Sequence, residues 1–350
     1  MQEFFRKTDY LFICLLLIII LIMILFWALS IGTVKLPLEK IYFTIIEQLQ
    51  SGTSIETIGK GPVHDIIWLL RLPRLVLAAI VGAGLAVCGV IMQAIVKNPL
   101  ADPYILGISA GASTGATAVI AIGFIDITKE YAVSIGAFTG AITSMLILFL
   151  LNKQNRDSVR LLLSGCVIAI LFSSISSTIM FMAKDKDKIS SVVFWLMGSV
   201  ADADWLMVGM VFIAVIIGVF ILMLYHRQLN AMLLGEETAH TLGVNINKLR
   251  WQLVILVALM IGIIVAFCGM IGFVGFVIPH IVRSIFGANH KFVVPISAFI
   301  GAIFLIYCDI LARTIVIPEE LPIGIITSIL GAPFFIYILE RNKYIFGGKK

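Results

Sequence analysis

The 350-residue chain predicts an all-α polytopic membrane protein with about ten transmembrane helices and both termini cytoplasmic. Three observations carry this expectation. Hydrophobic residues make up 61% of the chain and charged residues 13%, and the mean hydropathy is +1.10; a soluble domain holds about 45–50% and about 25%. The apolar residues run in long unbroken windows instead of alternating, which favours helices over an outer-membrane barrel. At about 20 residues per crossing, the length accommodates roughly ten spans joined by short loops.

The windows are 10–31, 71–95, 104–125, 131–151, 161–183, 205–225, 251–268, 270–286, 292–312 and 322–339. The first follows Arg6 and Lys7, and Ala28 and Ser30 mimic a cleavage site. Its charge-free stretch, Leu11 to Leu29, exceeds a signal-peptide core of about 7–15 residues, so a retained span is expected. Residues 33–60 form an external loop of mixed charge. Span two is rich in glycine and alanine, and Gly107, Gly111 and Gly115 in span three repeat at GxxxG spacing, as do Gly136 and Gly140 in span four. Small faces of this kind let helix backbones approach closely in lipid.

Span five carries Ser173, Ser174, Ser176 and Ser177, which can line a wet path or bond back to their own helix. The run Lys184–Lys188 reads as a solvated external loop, and residues 192–200 as a short apolar piece lying at the outer surface. Residues 251–286 would make a single helix of about 54 Å, far longer than a hydrocarbon core of about 30 Å. Gly269, Gly272, Gly275 and Pro279 break it into two short spans or a re-entrant pair. A weak echo links GAGLAVCGV and GMIGFVGFV without amounting to a repeat.

With an inside N-terminus, 15 of the 25 lysines and arginines fall on the cytoplasmic side, and both tails (Arg6 and Lys7; Arg341, Lys343, Lys349 and Lys350) are basic. The net charge of +5 serves orientation and implies no nucleic acid. Five cysteines, each inside an apolar run and without CxxC or Cys/His spacing, read as small buried hydrophobes; no metal or catalytic residue is expected. Intramembrane ionisable groups are few: Asp309 with Arg313 four residues on, and His280 with Arg283. An ion-coupled carrier would need a richer titratable cluster, and an intramembrane enzyme would need a shared motif. No P-loop exists, since Gly59-Lys60 is followed by Gly61. In the loop 226–250, Gly235 to Leu242 reads as a short helix stopped by Gly243, suited to docking a soluble partner.

Four strings carry a resemblance. RLPRLVLAAIVGAGLAVCGVIMQAIVKNPLADPYILGISAGA (71–112), LLGEETAHTLGV (233–244), GMIGFVGFVIPHIVR (269–283) and ELPIGIITSILGAPFFIYIL (320–339) resemble the permease family of iron-chelate and cobalamin ABC importers. The match covers roughly 60–342. It implies a single permease domain, similar to the vitamin B12 importer permease, in a prokaryotic cell membrane. The implied partners are a second permease copy, two cytoplasmic ATPase subunits that use ATP and Mg, and an external substrate-binding protein. No cofactor is bound by this chain.

By the same resemblance, Arg71, Arg74 and Arg313 meet glutamates of the binding protein, although Glu319 and Glu320 stand near enough to hold Arg313 internally. The loop 229–245 supplies the coupling helix through Leu234, Gly235, Glu236, Glu237, Ala239, Leu242 and Gly243. Asn98 and Leu100 match an inner gate. A second gate falls at Ser158 and Val159, where an apolar residue replaces a hydroxyl, and Ser173 and Ser177 line the path. The implied cargo is a ferric siderophore or haem, with cobalamin or an oxyanion such as molybdate as alternatives.

Overall fold

A computed structural model describes residues 7–32, 34–51, 61–123, 131–153, 158–183 and 185–341. The external loop 33–60 is thus described only in part. Arg6, Gly59, Lys60, Arg156, Lys184, Lys343, Lys349 and Lys350 lie outside the described residues.

The described chain is helical throughout, without strands. The helices are α1 (Lys7–Ser30), α2 (Leu38–Ser51), α3 (Pro62–Asp65), α4 (Leu72–Val96), α5 (Ile108–Ile122), α6 (Ala132–Leu151) and α7 (Ser158–Met182). There follow α8 (Lys186–Leu196), α9 (Trp205–Leu224), α10 (His226–Leu233), α11 (Glu236–Thr241), α12 (Ile246–Cys268), α13 (Val274–Phe286), α14 (His290–Thr314) and α15 (Ile323–Arg341). Seven helical stretches are long and apolar enough to cross a membrane, and three shorter apolar ones lie in α5, α13 and α15. Together they occupy the ten expected windows.

Local chemistry sets the boundaries. The second span starts at Pro62, not at 71, because a widened turn over Ile66–Arg71 joins α3 to α4 without a break. Proline suits the first helical turn, where its missing N–H goes unused. The 251–286 stretch divides after Cys268, and Phe273 in the left-handed region (φ 66°) turns the chain into α13. With 13 residues, α13 is about 20 Å long, short of a full crossing. From Asp185 on, the charge run expected as a loop is helical: Asp185 accepts from the Asp187 N–H at 3.0 Å and starts α8 there, while Lys184 lies outside the described residues.

Most of α4 is buried, packed among α9, α12, α13 and α14, whereas α1 and one broad side each of α7 and α9 are exposed and apolar. Glycines permit the closest crossings. A Cβ on Gly89 would collide with the Gly275 carbonyl, and one on Gly115 with that of Gly136. The two echoing strings therefore pack against each other, α4 on α13. The bundle has two poles, named below for the short helices they carry: the α8 end, with α2 and α3, and the α11 end, with α10.

Candidate functional site

At the α8 end, Arg74 of α4 and Arg313 of α14 meet carboxylates near the end of α14, with Arg71 close by in the turn just before α4. Arg74 Nε donates to Asp309 Oδ1 at 2.7 Å, and its Nη1 to Glu320 Oε2 at 2.5 Å. Arg313 Nε lies 3.0 Å from Asp309 Oδ2, one helical turn back, and its Nη1 donates to the Ile31 carbonyl at 3.1 Å. Arg71 donates only to the backbone carbonyls of Leu29 and Val34.

By the resemblance these side chains meet glutamates of a binding protein; the structure shows the partners they hold within the chain. Arg71, Arg74 and Arg313 are all buried, as is Asp309, which is fully enclosed. Glu320 holds Arg74, not Arg313. The Asp309–Arg313 pair was legible from i,i+4 spacing. Asp309 as the anchor of Arg74 was not, because 235 positions separate them. Above the cluster, Arg74, Trp195, Asp202, Cys268, Glu320 and Pro322 help line a cavity of about 710 Å³.

At the opposite pole α11 forms as expected. Gly235 (φ 105°) and Gly243 (φ 83°) flank it in conformations that disfavour other residues. Glu236 in its first turn bonds Lys97 Nζ at 2.7 Å and Arg250 Nη2 at 2.9 Å, tying α11 to α4 and α12. The hydrogen bond from Lys97, aided by the Arg250 charge, lowers the Glu236 pKa below its ordinary value. Leu234 and Leu242 are 66% and 63% exposed, and Glu237 is exposed. Ala239 is fully buried and faces the bundle, so it is not part of an outward surface. A short amphipathic helix must turn one side inward.

Beside α11, Asn98 Oδ1 accepts from the Leu100 N–H at 2.9 Å, and Asp102 caps Tyr104 at 2.8 Å; both are the local turns that NPLADP suggests. Leu100 packs against Phe276, Val277 and Ile338. Ser158 is buried and donates to the Ile95 carbonyl at 3.0 Å, while Val159 beside it is exposed.

Along α7, Leu161, Gly165, Ile168, Phe172 and Ser176 face inward, and Ser176 bonds Thr114 at 2.7 Å. The opposite side exposes Leu163, Val167, Ile170, Ser173, Ser174 and Ser177. Ser174 and Ser177 bond back to carbonyls four residues earlier, so two of the three serines on this largely apolar face donate to their own helix. Among the cysteines, Cys88, Cys268 and Cys308 are buried, whereas Cys166 is exposed on the same face. No cluster of three potential metal-ligating side chains occurs among the described residues. His280 stacks edge-on to Phe334.

Comparison with known proteins places this arrangement. The family model described as the FecCD transport family matches residues 17–341. The chain is 38% identical over 298 residues to the hemin transport system permease protein HmuU of Yersinia pestis, covering 83% of this chain and 89% of that one. It is 37% identical over 280 residues to the vitamin B12 import system permease protein BtuC of Vibrio cholerae, covering 80% and 84%. A solved structure assigned as a metal-chelate type ABC transporter in an inward-facing conformation superposes with a TM-score of 0.81 at 31% identity, over 94% of this chain and 99% of that one. Ten apolar helices among the described residues, and a family match from Leu17 to Arg341, make the chain a multi-pass membrane protein of the FecCD transport family.

Proposed function

We propose that the chain is the permease subunit of an ATP-binding cassette importer that moves an iron chelate, a ferric siderophore or haem, across a prokaryotic cell membrane. Two copies form the path, two ATPase subunits bind ATP and Mg at the α11 end, and an external binding protein delivers cargo at the α8 end. Both termini are then cytoplasmic. Residues 229–245 form the coupling segment, with Leu234, Gly235, Glu236, Glu237, Leu242 and Gly243 at the ATPase and Ala239 holding α11 to the bundle. Residues 33–60 belong to the external face.

The observation that carries this reading is family membership together with a hydroxyl-bearing, uncharged face on α7. Ser173 and Ser177 stand on that face, with Asn98, Leu100, Ser158 and Val159 at its α11-end mouth. A path without charge suits a bulky chelate whose organic shell masks the metal. Cobalamin and an oxyanion such as molybdate are the alternative cargoes, each the one that a similar permease is named for. At the α8 end, Arg71 pairs among the described residues with backbone carbonyls and with no carboxylate, so its charge is the one an acidic partner would complement; Arg74 and Arg313 position the surface around it. Asp309 is committed to arginines, which argues against a proton carrier.

The test is ATP-driven uptake in proteoliposomes holding the permease, its ATPase and its binding protein, with labelled ferric chelate and cobalamin compared. Chelate accumulation that requires ATP supports the proposal. Accumulation without the ATPase that collapses with an uncoupler overturns it.

A further inference from the structure

At the α11 end a second cavity, of about 330 Å³, lies between the last turns of α4 and α13, the start of α14 and the α10–α11 junction. Gln93, Lys97, Met232, Gly235, Arg283 and His290 are among its lining residues. His290 is 2% and Gln93 4% exposed. Yet His290 Nε2, Gln93 Oε1 and Arg283 Nη2 have no hydrogen-bond partner among the described residues. Buried polar atoms are rarely left bare, so three around one cavity point to an occupant.

The neighbours define what that occupant offers. Asn230 Nδ2 donates to Asn289 Oδ1 at 2.8 Å, which fixes the amide; its Oδ1 then faces the His290 N–H at 2.8 Å and Nδ1 at 3.0 Å. Nδ1 therefore carries a proton; a ring buried this fully beside the Arg283 guanidinium is neutral, which leaves Nε2 a bare acceptor. Gln93 Nε2 donates to the Phe276 carbonyl at 3.3 Å, leaving Oε1 as a second bare acceptor. Positive charge is in excess. Lys97 shares Glu236 with Arg250, and Arg283 has no ion-pair partner among the described residues. Position in the last turn of α13 favours the Arg283 charge but satisfies neither acceptor.

We infer that this cavity is a binding site for a singly charged phosphate bearing hydroxyl donors. Its anionic oxygens accept from Arg283 and Lys97, and its hydroxyls donate to His290 Nε2 and Gln93 Oε1. Two sources share this chemistry: dihydrogen phosphate from solution and the headgroup of phosphatidylglycerol. Sulfate satisfies the arginine but has no hydroxyl for the two acceptors. An occupant would bridge α4, α13 and α14 beside Gly235, the hinge before α11.

The full chain, stripped of lipid in a neutral detergent, is titrated at neutral pH with inorganic phosphate, sulfate or chloride at matched ionic strength while thermal unfolding is followed. Phosphate is expected to raise the midpoint saturably by about 3 °C, sulfate less and chloride not at all. In a parallel arm without phosphate, nanodiscs of phosphatidylglycerol are compared with phosphatidylcholine. Stabilisation there, with phosphatidylglycerol retained in native mass spectra, assigns the site to lipid; a response to phosphate alone assigns it to the free ion. Arg283→Gln abolishes the response, and Lys291→Gln, exposed and outside the cavity, keeps it. If Arg283→Gln does not fold, wild-type adduct yields decide: preference for phosphate over sulfate, or for phosphatidylglycerol over phosphatidylcholine, upholds the site. Equal behaviour of all three anions together with both lipids, or an unchanged response in folded Arg283→Gln, overturns it.

Discussion

The two poles of the bundle handle charge in opposite ways. At the α8 end, Arg74 and Arg313 converge on Asp309, which is wholly enclosed, and Glu320 closes the group from a 38% exposed position. At the α11 end, Lys97 and Arg250 converge on Glu236, whose side chain is 41% exposed. Asp309 and the two arginines have been taken out of water, so each of these three is obligatory to the others. Breaking such a pair by removing one partner costs about 3–5 kcal/mol. The second remains solvated on one side, where an ion pair contributes about 0–1 kcal/mol. One pole is built to stay closed around its charges, and the other can let its short helix move.

The largest effect should come from Asp309→Ala, which takes the shared carboxylate from two buried guanidiniums and leaves Arg74 with Glu320 alone. A loss of about 3–5 kcal/mol, seen as a collapse of the thermal midpoint in detergent, is expected. Near-wild-type stability would break the distinction between the poles. Glu320→Gln should cost about 1 kcal/mol, because its carboxylate is partly hydrated.

Next comes Gly89→Ala, which forces α4 away from the Gly275 carbonyl and should cost about 1–3 kcal/mol. Gly272→Ala, where an added Cβ meets nothing within 4 Å, serves as the neutral comparison in the same melt. Leu234→Glu, on an exposed side chain, should change chain stability by less than about 0.5 kcal/mol while weakening ATPase assembly about tenfold. Pull-down of the intact complex measures this, and undiminished assembly would remove Leu234 from the coupling surface.

The smallest effect is acid loosening of α11. The Glu236 pKa is lowered in the folded chain, so its contribution is fully present above the unfolded value of 4.5 and is lost as pH falls through the lower folded value. Amide exchange over 236–241 should therefore quicken only in that acid range, and Glu236→Gln should remove the pH dependence.

Much of this was legible from local pattern. The ten apolar windows, the break after Cys268 and the glycine-bounded α11 follow from window length and turn chemistry. The GxxxG pairs met across α5 and α6 because small residues at that spacing leave one face bare. What local pattern missed was long-range. Arg71, Arg74 and Arg313 were assigned by resemblance, and the sequence showed a local partner only for Arg313; that Arg74 shares Asp309 and takes Glu320 depends on α4 packing against α14. Ala239 was named among the coupling residues by resemblance, and its burial was not legible because α11 has too few residues for its inward side to be assigned. The 184–188 run read as loop because alternating charge hid the capping role of Asp185.

The amino-acid order alone settled that the chain crosses a membrane, roughly where, and where its helices stop, since each depends on residues within one or two turns of each other. Tertiary structure decided which charges are sequestered and which stay wet. That choice rests on desolvation, and whether an arginine is desolvated depends on helices hundreds of positions away folding over it.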